Sequence, residues 1–426
     1  MKSRQDWRRA INEVPVFDTH THMNNPGVAI AAQTVWDIVH YFWFQQELWS
    51  VGYPAKPMEL DEAERIERFV AAFAQVRSTV WAKMVGETFR RLYGVELRDA
   101  ASVRAADEAV RAKAADPGWP RHVVERLQVK RIVVNHERCA DFPGLPGVGA
   151  AVPLWPDHKH WTQRIADAPD QRAAGEAAEA AVQQAVAGYF ARGHRGMRIQ
   201  TGAFDDQPQD AIVEAVASDG ALPKTGAFDD QPQDAIVEAV ASDGALPKTG
   251  ASPMAIQTFL AHALLRALSE QGMFAQLFLG INRIAHSSNL MAINDPRRIV
   301  NRYPLFERYA CGFELVAGAP QHNIDVAQAA RIYPNVHAGG LWWYNFRGST
   351  YREAMQARLE AVPAGKSVIL ASDGRCIEWC YAKTLLVKWL LADFLHEQVR
   401  DDWISEADAL WVAREWLHDA AARRYG

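Results

Sequence analysis

Eight short apolar runs, most of them closed by polar or turn-forming residues, recur along the chain. They are VPVFDTH (14–20), KRIVVNH (130–136), GVGAAVPLW (147–155) and GMRIQT (196–201), then MFAQLFLGIN (273–282), YACGFELVAG (309–318), NVHAGGLWWYN (335–345) and SVILASDGR (367–375). Amphipathic stretches such as AAEAAVQQAVAGYFARG and PMAIQTFLAHALLRALSEQG separate most of them. Runs that are apolar throughout, rather than alternating, suit parallel strands buried on both faces, and parallel strands need helical crossovers between them. Eight such strand–helix units predict an α/β chain folded as a (β/α)8 TIM-like barrel. The whole of 1–426 reads as one such domain. Its one long gap, roughly residues 30–120, holds helical patterns such as LDEAERIERFVAAFAQV and AKMVGETFRRLYG, which predicts a helical insertion after the first strand, over the barrel mouth.

In these barrels chemistry collects at the C-terminal strand ends. The first strand ends in His20-Thr21-His22, and residues two apart on a strand share a face, so both imidazoles project to one side. The plain alternative is a polar loop with two solvated histidines. The eighth strand ends in Asp373, and the first and eighth strands of a closed barrel are neighbours. His20, His22 and Asp373 therefore converge on one point. Two nitrogens, one carboxylate and open positions suit a catalytic divalent metal, Zn²⁺ first among them.

Other function classes fit less well. Lys plus Arg (46) nearly balances Asp plus Glu (51), for a net charge of −5, and no long basic block points to nucleic acid. No apolar run reaches membrane-spanning length, and MKSRQDWRRA lacks the apolar segment of a signal peptide, so a cytoplasmic location is expected. Four cysteines are too few for a disulfide framework; Cys376 and Cys380, one helical turn apart, read as core packing or a metal pair. No Walker loop, strand-linked Gly-x-Gly-x-x-Gly or Gly-x-Ser-x-Gly elbow competes. The segment TGAFDDQPQDAIVEAVASDGALPK occurs twice without a substitution, at 201–224 and 225–248. Two copies cannot build a solenoid, so the second is expected to be a surface excursion carrying a short helix, with no part in catalysis.

At this point the chain resembles the uronate isomerases of the amidohydrolase superfamily. The resemblance rests on DTHTHMN (18–24), HYFW (40–43), GINR (280–283), GGLWWYN (339–345) and SDGR (372–375), which follow in the family's order and strand context. It implies a barrel of the metal-dependent hydrolase type and an aldose–ketose isomerase that interconverts D-glucuronate or D-galacturonate and the matching ketouronate. Its partner would be a small sugar acid, with neither nucleic acid nor membrane, and self-association is left open. Carried over by position, His20, His22 and Asp373 would hold the metal, with Asp373 and Tyr41 as proton-transfer candidates. His40 and Tyr41 would lie near the reacting carbons, Arg375 would contact substrate oxygens beside the metal, Arg283 would bind substrate, and Trp342 or Trp343 would line the pocket. One family position is missing: an Arg between Trp and Pro-Asp after the third strand, facing the substrate carboxylate. Here Trp155 is followed directly by Pro156 and Asp157, which leaves Arg283, Lys159 or Arg198 for that task. A metal-dependent hydrolase acting on a small ester, lactone or amide is the rival on the same fold. Hydrolytic members usually add histidines after strands five and six and often a carboxylated lysine on strand four. GMRIQT has no Lys, and His286 and His322 lie beyond their strand ends. A barrel that only binds carbohydrate would not need the complete His-His-Asp set.

Overall fold

The structure is a computed structural model. It describes residues 3–23, 29–134, 142, 144–153, 158–200, 246, 248–251, 253–279, 281–283, 290–292, 299, 302–342 and 345–426. The strands are β1 (Val16–Thr21), β2 (Val129–Val134), β3 (Gly149–Ala151), β4 (Gly196–Gln200), β5 (Phe274–Leu279), β6 (Ile281–Arg283), β7 (Leu290–Ala292), β8 (Gly312–Ala317) and β9 (Val336–Ala338). Two parallel sheets, β1-β2-β3 and β4-β5-β8-β9, form the wall. The chain from Ser367 to Gly374 joins them through parallel bridges, from Ser367 and Leu370 to the β9 side and from Gly374 to Thr21. On the far side the Arg198 amide of β4 donates to Pro153 O just after β3, at 2.9 Å, and completes the ring. The expected (β/α)8 barrel is the observed fold, with two local differences. The eighth strand is bridged rather than regular, and the fifth run splits so that β6 turns into an antiparallel hairpin with β7.

The period-2 geometry of the strands sorts the side chains into two layers. Met197 and Ile199, Ala275, Leu277 and Leu279, and Phe313, Leu315 and Ala317 pack into one buried cluster with residues of the helices Pro253–Glu270 and His322–Ile332. Residues of the opposite parity, among them Arg198, Gln276, Phe278 and Glu314, face the barrel interior. At the N-terminal end the interior is plugged by the last helix, Ala420–Tyr425. Tyr425 donates to Glu314 at 2.8 Å and accepts from Gln276 at 2.9 Å, while Arg424 pairs with Glu314. Gly340 marks a close approach, since a Cβ there would lie 2.5 Å from the Leu370 carbonyl carbon.

Between β1 and β2 the chain forms the helices Val35–Val39, Phe42–Ser50, Glu62–Val76, Val80–Thr88, Ala100–Ala114 and Trp119–Glu125, as the long gap predicted. Glu378, fully buried in the helix Ile377–Arg400, ties this insertion to the barrel by accepting from Tyr93 (2.9 Å), Trp119 (2.9 Å) and Ala32 N (3.0 Å). No described helix is long and apolar enough to cross a membrane.

Most of the duplicated segment, including its expected short helix, lies outside the described residues. Its end is described: Leu246 is buried, and the carbonyls of Leu246 and Lys248 accept from Arg172 and Gln171 of the helix Gln171–Ala191. Deleting 225–248 leaves Leu222 and Lys224 of the first copy in the same sequence context. The deletion variant is therefore expected to fold with unchanged metal content. Loss of soluble protein would show that both copies are needed for packing.

Candidate metal centre

Val16 and Phe17 begin β1 with the β-branched and aromatic residues that suit a buried strand, and all six strand residues are buried. The β1–β2 register slips between Asp18 and Thr21, a bulge of the kind that re-aims side chains beside sites. Asp18 Oδ1 accepts from the Ser372 amide at 2.9 Å and lies 3.4 Å from the His20 amide, holding the two strand ends together. Two backbone bonds continue the join: Asp373 N donates to His20 O at 2.8 Å, and His22 N donates to Gly374 O at 2.9 Å. Asp373 has φ +56°, a left-handed conformation that costs energy outside glycine and is typically retained at functional positions. Gly374 follows because a Cβ there would lie 2.5 Å from Cys380 Sγ.

The result brings three side chains to one point. Nε2 of His20 and Nε2 of His22 lie 3.1 and 3.0 Å from the same Asp373 oxygen, Oδ1. One ligand atom from each residue falls within 4.8 Å of the others. His20 and Asp373 are buried, whereas the His22 side chain is 34% exposed and opens the group to one side. Burial drives the His20 pKa down to about 3, so its imidazole is neutral. Burial pushes Asp373 up, but His22, the hydrogen bonds from both imidazoles and Lys383 outweigh it and hold the carboxyl well below its ordinary value. A neutral imidazole and an ionised carboxylate aimed at one point are the donors a divalent cation requires, so the residues fit the expected metal. Phe278 and Trp342 wall the site, with ring centroids 4.6 and 5.7 Å from His20.

Tyr41 enters from the insertion, at the start of the helix Phe42–Ser50. Its hydroxyl donates to the Asp373 carbonyl at 3.0 Å and stands 3.3 Å from Oδ2 of the same residue. Beneath it lies Lys383, which sequence reasoning missed. Its ammonium donates to Tyr41 Oη at 2.7 Å and to the Ser372 carbonyl, enclosed by the rings of Tyr41, Trp81 and Phe346 at 4.7, 5.3 and 4.7 Å. Burial brings this ammonium down to about 8. The available cue was a lysine inside the apolar helical run that follows Asp373.

The other expected residues are placed as follows. Arg375 is exposed at the mouth, and its charge counters the rise that burial imposes on the Tyr41 hydroxyl. Trp342 is buried against His20. His40 stacks on Trp36 and lies 2.8 Å from the Tyr53 hydroxyl, so its described contacts are within the insertion; burial lowers it to about 4. Trp343, the side chains of Arg283 and Lys159, Trp155 to Asp157 and His286 lie outside the described residues. His322 is buried at the start of its own helix. Cys376 and Cys380 are buried, with thiols pushed up by burial, and neither joins the candidate metal group.

No protein-family model matches the sequence, nor does any curated protein. Solved structures do match in shape. A uronate isomerase of Thermotoga maritima superposes with a TM-score of 0.75 at 11% identity, over 99% of this chain and 97% of that one. A uronate isomerase of Bacillus halodurans C-125 gives 0.72 at 14% identity, over 100% and 97%. A Lactobacillus casei protein described as a metal-dependent hydrolase gives 0.58 at 14%, over 98% and 96%. At these identities the likeness establishes a shared fold along nearly the whole chain.

Proposed function

We propose that this chain is a metal-dependent uronate isomerase, which moves a proton between C2 and C1 of an aldohexuronate such as D-glucuronate or D-galacturonate to give the ketouronate. The observation that carries the reading is the contact of Tyr41 with Asp373. It adds a buried proton-bearing hydroxyl to the His-His-Asp group, where a hydrolytic site needs chiefly an activated water. β4 also presents Arg198 at a strand where hydrolases of this type often place a lysine. The uronate isomerases that share the fold are consistent with this reading.

His20, His22 and Asp373 would hold the cation, with Zn²⁺ the expected ion. Once bound, a divalent cation supplies Lewis acidity toward the sugar's carbonyl and hydroxyl oxygens. Oδ2 of Asp373 and the Tyr41 hydroxyl, 3.3 Å apart, are the proton-transfer candidates: the ionised carboxylate would take the proton from C2 and return it to C1, with the hydroxyl hydrogen-bonding beside it. Lys383 fixes the hydroxyl from below at 2.7 Å and keeps positive charge beside it. Arg375 places a second positive charge at the mouth, where negative charge develops on the sugar oxygens. Phe278 and Trp342 exclude water from this side of the pocket.

The test is NMR of D-glucuronate and D-galacturonate incubated with zinc-loaded protein in D₂O. The ketose is expected to form, with solvent deuterium at C1 to the extent that the base exchanges its proton. Release of an acid or amine from ester, lactone or amide substrates, with no aldose–ketose interconversion, would make the chain a hydrolase.

A further inference from the structure

We propose that Arg198, on β4, is the residue that grips the carboxylate of the substrate, in place of the arginine that this chain lacks after its third strand. The inference rests on the uronate reading above and names the residue that selects an acid over a neutral sugar.

Four observations carry it. Met197 and Ile199 on either side of Arg198 turn outward into the helix-facing core, so Arg198 turns into the barrel. Its backbone is pinned by the bond to Pro153 O that completes the ring, which fixes where the side chain starts. Its guanidinium carbon lies 4.0 Å from the centroid of the Phe278 ring, and that ring also touches His20 and Trp342, each 4.6 Å away. The arginine thus shares a wall with the metal group without bonding to it. Lastly, among the described residues nothing accepts a hydrogen bond from its guanidinium, and its Nε is buried with no partner.

Two other arginines of the barrel already hold partners. Arg424 is paired with Glu314, and Arg358 donates to the carbonyls of Gly339 and Val368 and to the Ser367 hydroxyl. The Asp373 carboxylate acts on Arg198 through space without a hydrogen bond. A buried guanidinium with no bonded anion is costly, and its planar fork matches a carboxylate with two parallel bonds. Stacking on Phe278 holds that plane in one orientation. Burial lowers Arg198 to about 10, so it remains charged at neutral pH. The residue as a whole is only partly buried, although its Nε is fully so.

The experiment compares D-glucuronate with its neutral amide, D-glucuronamide, on zinc-loaded wild type and on Arg198→Met, Arg198→Lys and Arg283→Met. Turnover is read by NMR and binding by calorimetry, with metal content and thermal unfolding measured for each variant. Arg198→Met is expected to raise KM and Kd for the acid by about 10- to 100-fold, to change kcat far less and to erase the preference for acid over amide. Arg198→Lys should recover part of that preference. If Arg198→Met holds a full complement of metal and still prefers the acid, or if Arg283→Met alone erases the preference, the assignment is wrong. Should wild type bind the acid in preference to the amide without turning it over, and Arg198→Met lose that preference, the isomerase reading falls while the Arg198 site stands. Should Arg198→Met prove too unstable to assay, the lysine variant decides: unchanged acid affinity in it overturns the bidentate grip.

Discussion

Replacing His20 and His22 together by alanine is expected to abolish stoichiometric metal binding and to lower kcat/KM by more than about 1,000-fold, beyond what loss of a single oxyanion donor costs. Both Nε2 atoms face the same carboxylate oxygen at 3.0–3.1 Å, so each imidazole removed takes a ligand from one shared point. His20 lies on a fully buried strand, and removing its ring opens a cavity against Phe278 and Trp342. Elemental analysis of the purified variant, beside a thermal unfolding curve, separates metal loss from misfolding. A folded double variant that kept its metal and turned over a uronate would remove the assignment.

Arg375→Met is expected to lower kcat by about 100-fold with little change in KM. The side chain is exposed at the mouth, two residues past Asp373, and no acidic partner among the described residues neutralises it. Its charge already reaches the Tyr41 hydroxyl, and the sugar oxygens that gain charge during the proton transfer would lie in the same region. Such help is stronger in the transition state than in the bound substrate, so it acts on kcat. Arg198 should behave in the opposite way, because a grip on a remote carboxylate is similar in both states and acts on KM. Steady-state kinetics of the two variants on one uronate distinguish the roles. An Arg375→Met enzyme with normal kcat would place the oxyanion elsewhere.

Much of this site could be read before any coordinates, because its signals are local. The strand period of two puts His20 and His22 on one face wherever that strand lies. Eight apolar runs with helical spacers define a barrel, and a barrel makes its first and last strands neighbours, which brings Asp373 to the histidines across 353 positions. The duplicated segment was equally legible, as a plain fact of residue order, whereas the arginine gap after the third strand was legible only through the resemblance to the uronate isomerases.

Tertiary structure decided the rest. The bend of β6 into a hairpin with β7 and the bridged eighth strand depend on which backbone groups meet across sheet edges, and apolar runs do not encode that. The left-handed Asp373 is imposed by the bonds that zip its segment to β1. Nothing local distinguishes Lys383 within its apolar helical run; only packing shows it buried under Tyr41 and bonded to the carbonyl that precedes Asp373. His40, adjacent to Tyr41 in sequence, makes its described contacts with Trp36 and Tyr53, since neighbouring residues at a helix boundary diverge. Arg198 could be counted as a spare cation from the sequence. That it turns inward, stacks on Phe278 and has no hydrogen-bonding anion among the described residues depends on what the strands around it bring near. Periodicity assigns a side chain to a face, but the partners on that face come from distant parts of the chain, and a guanidinium's chemistry is set by its partners.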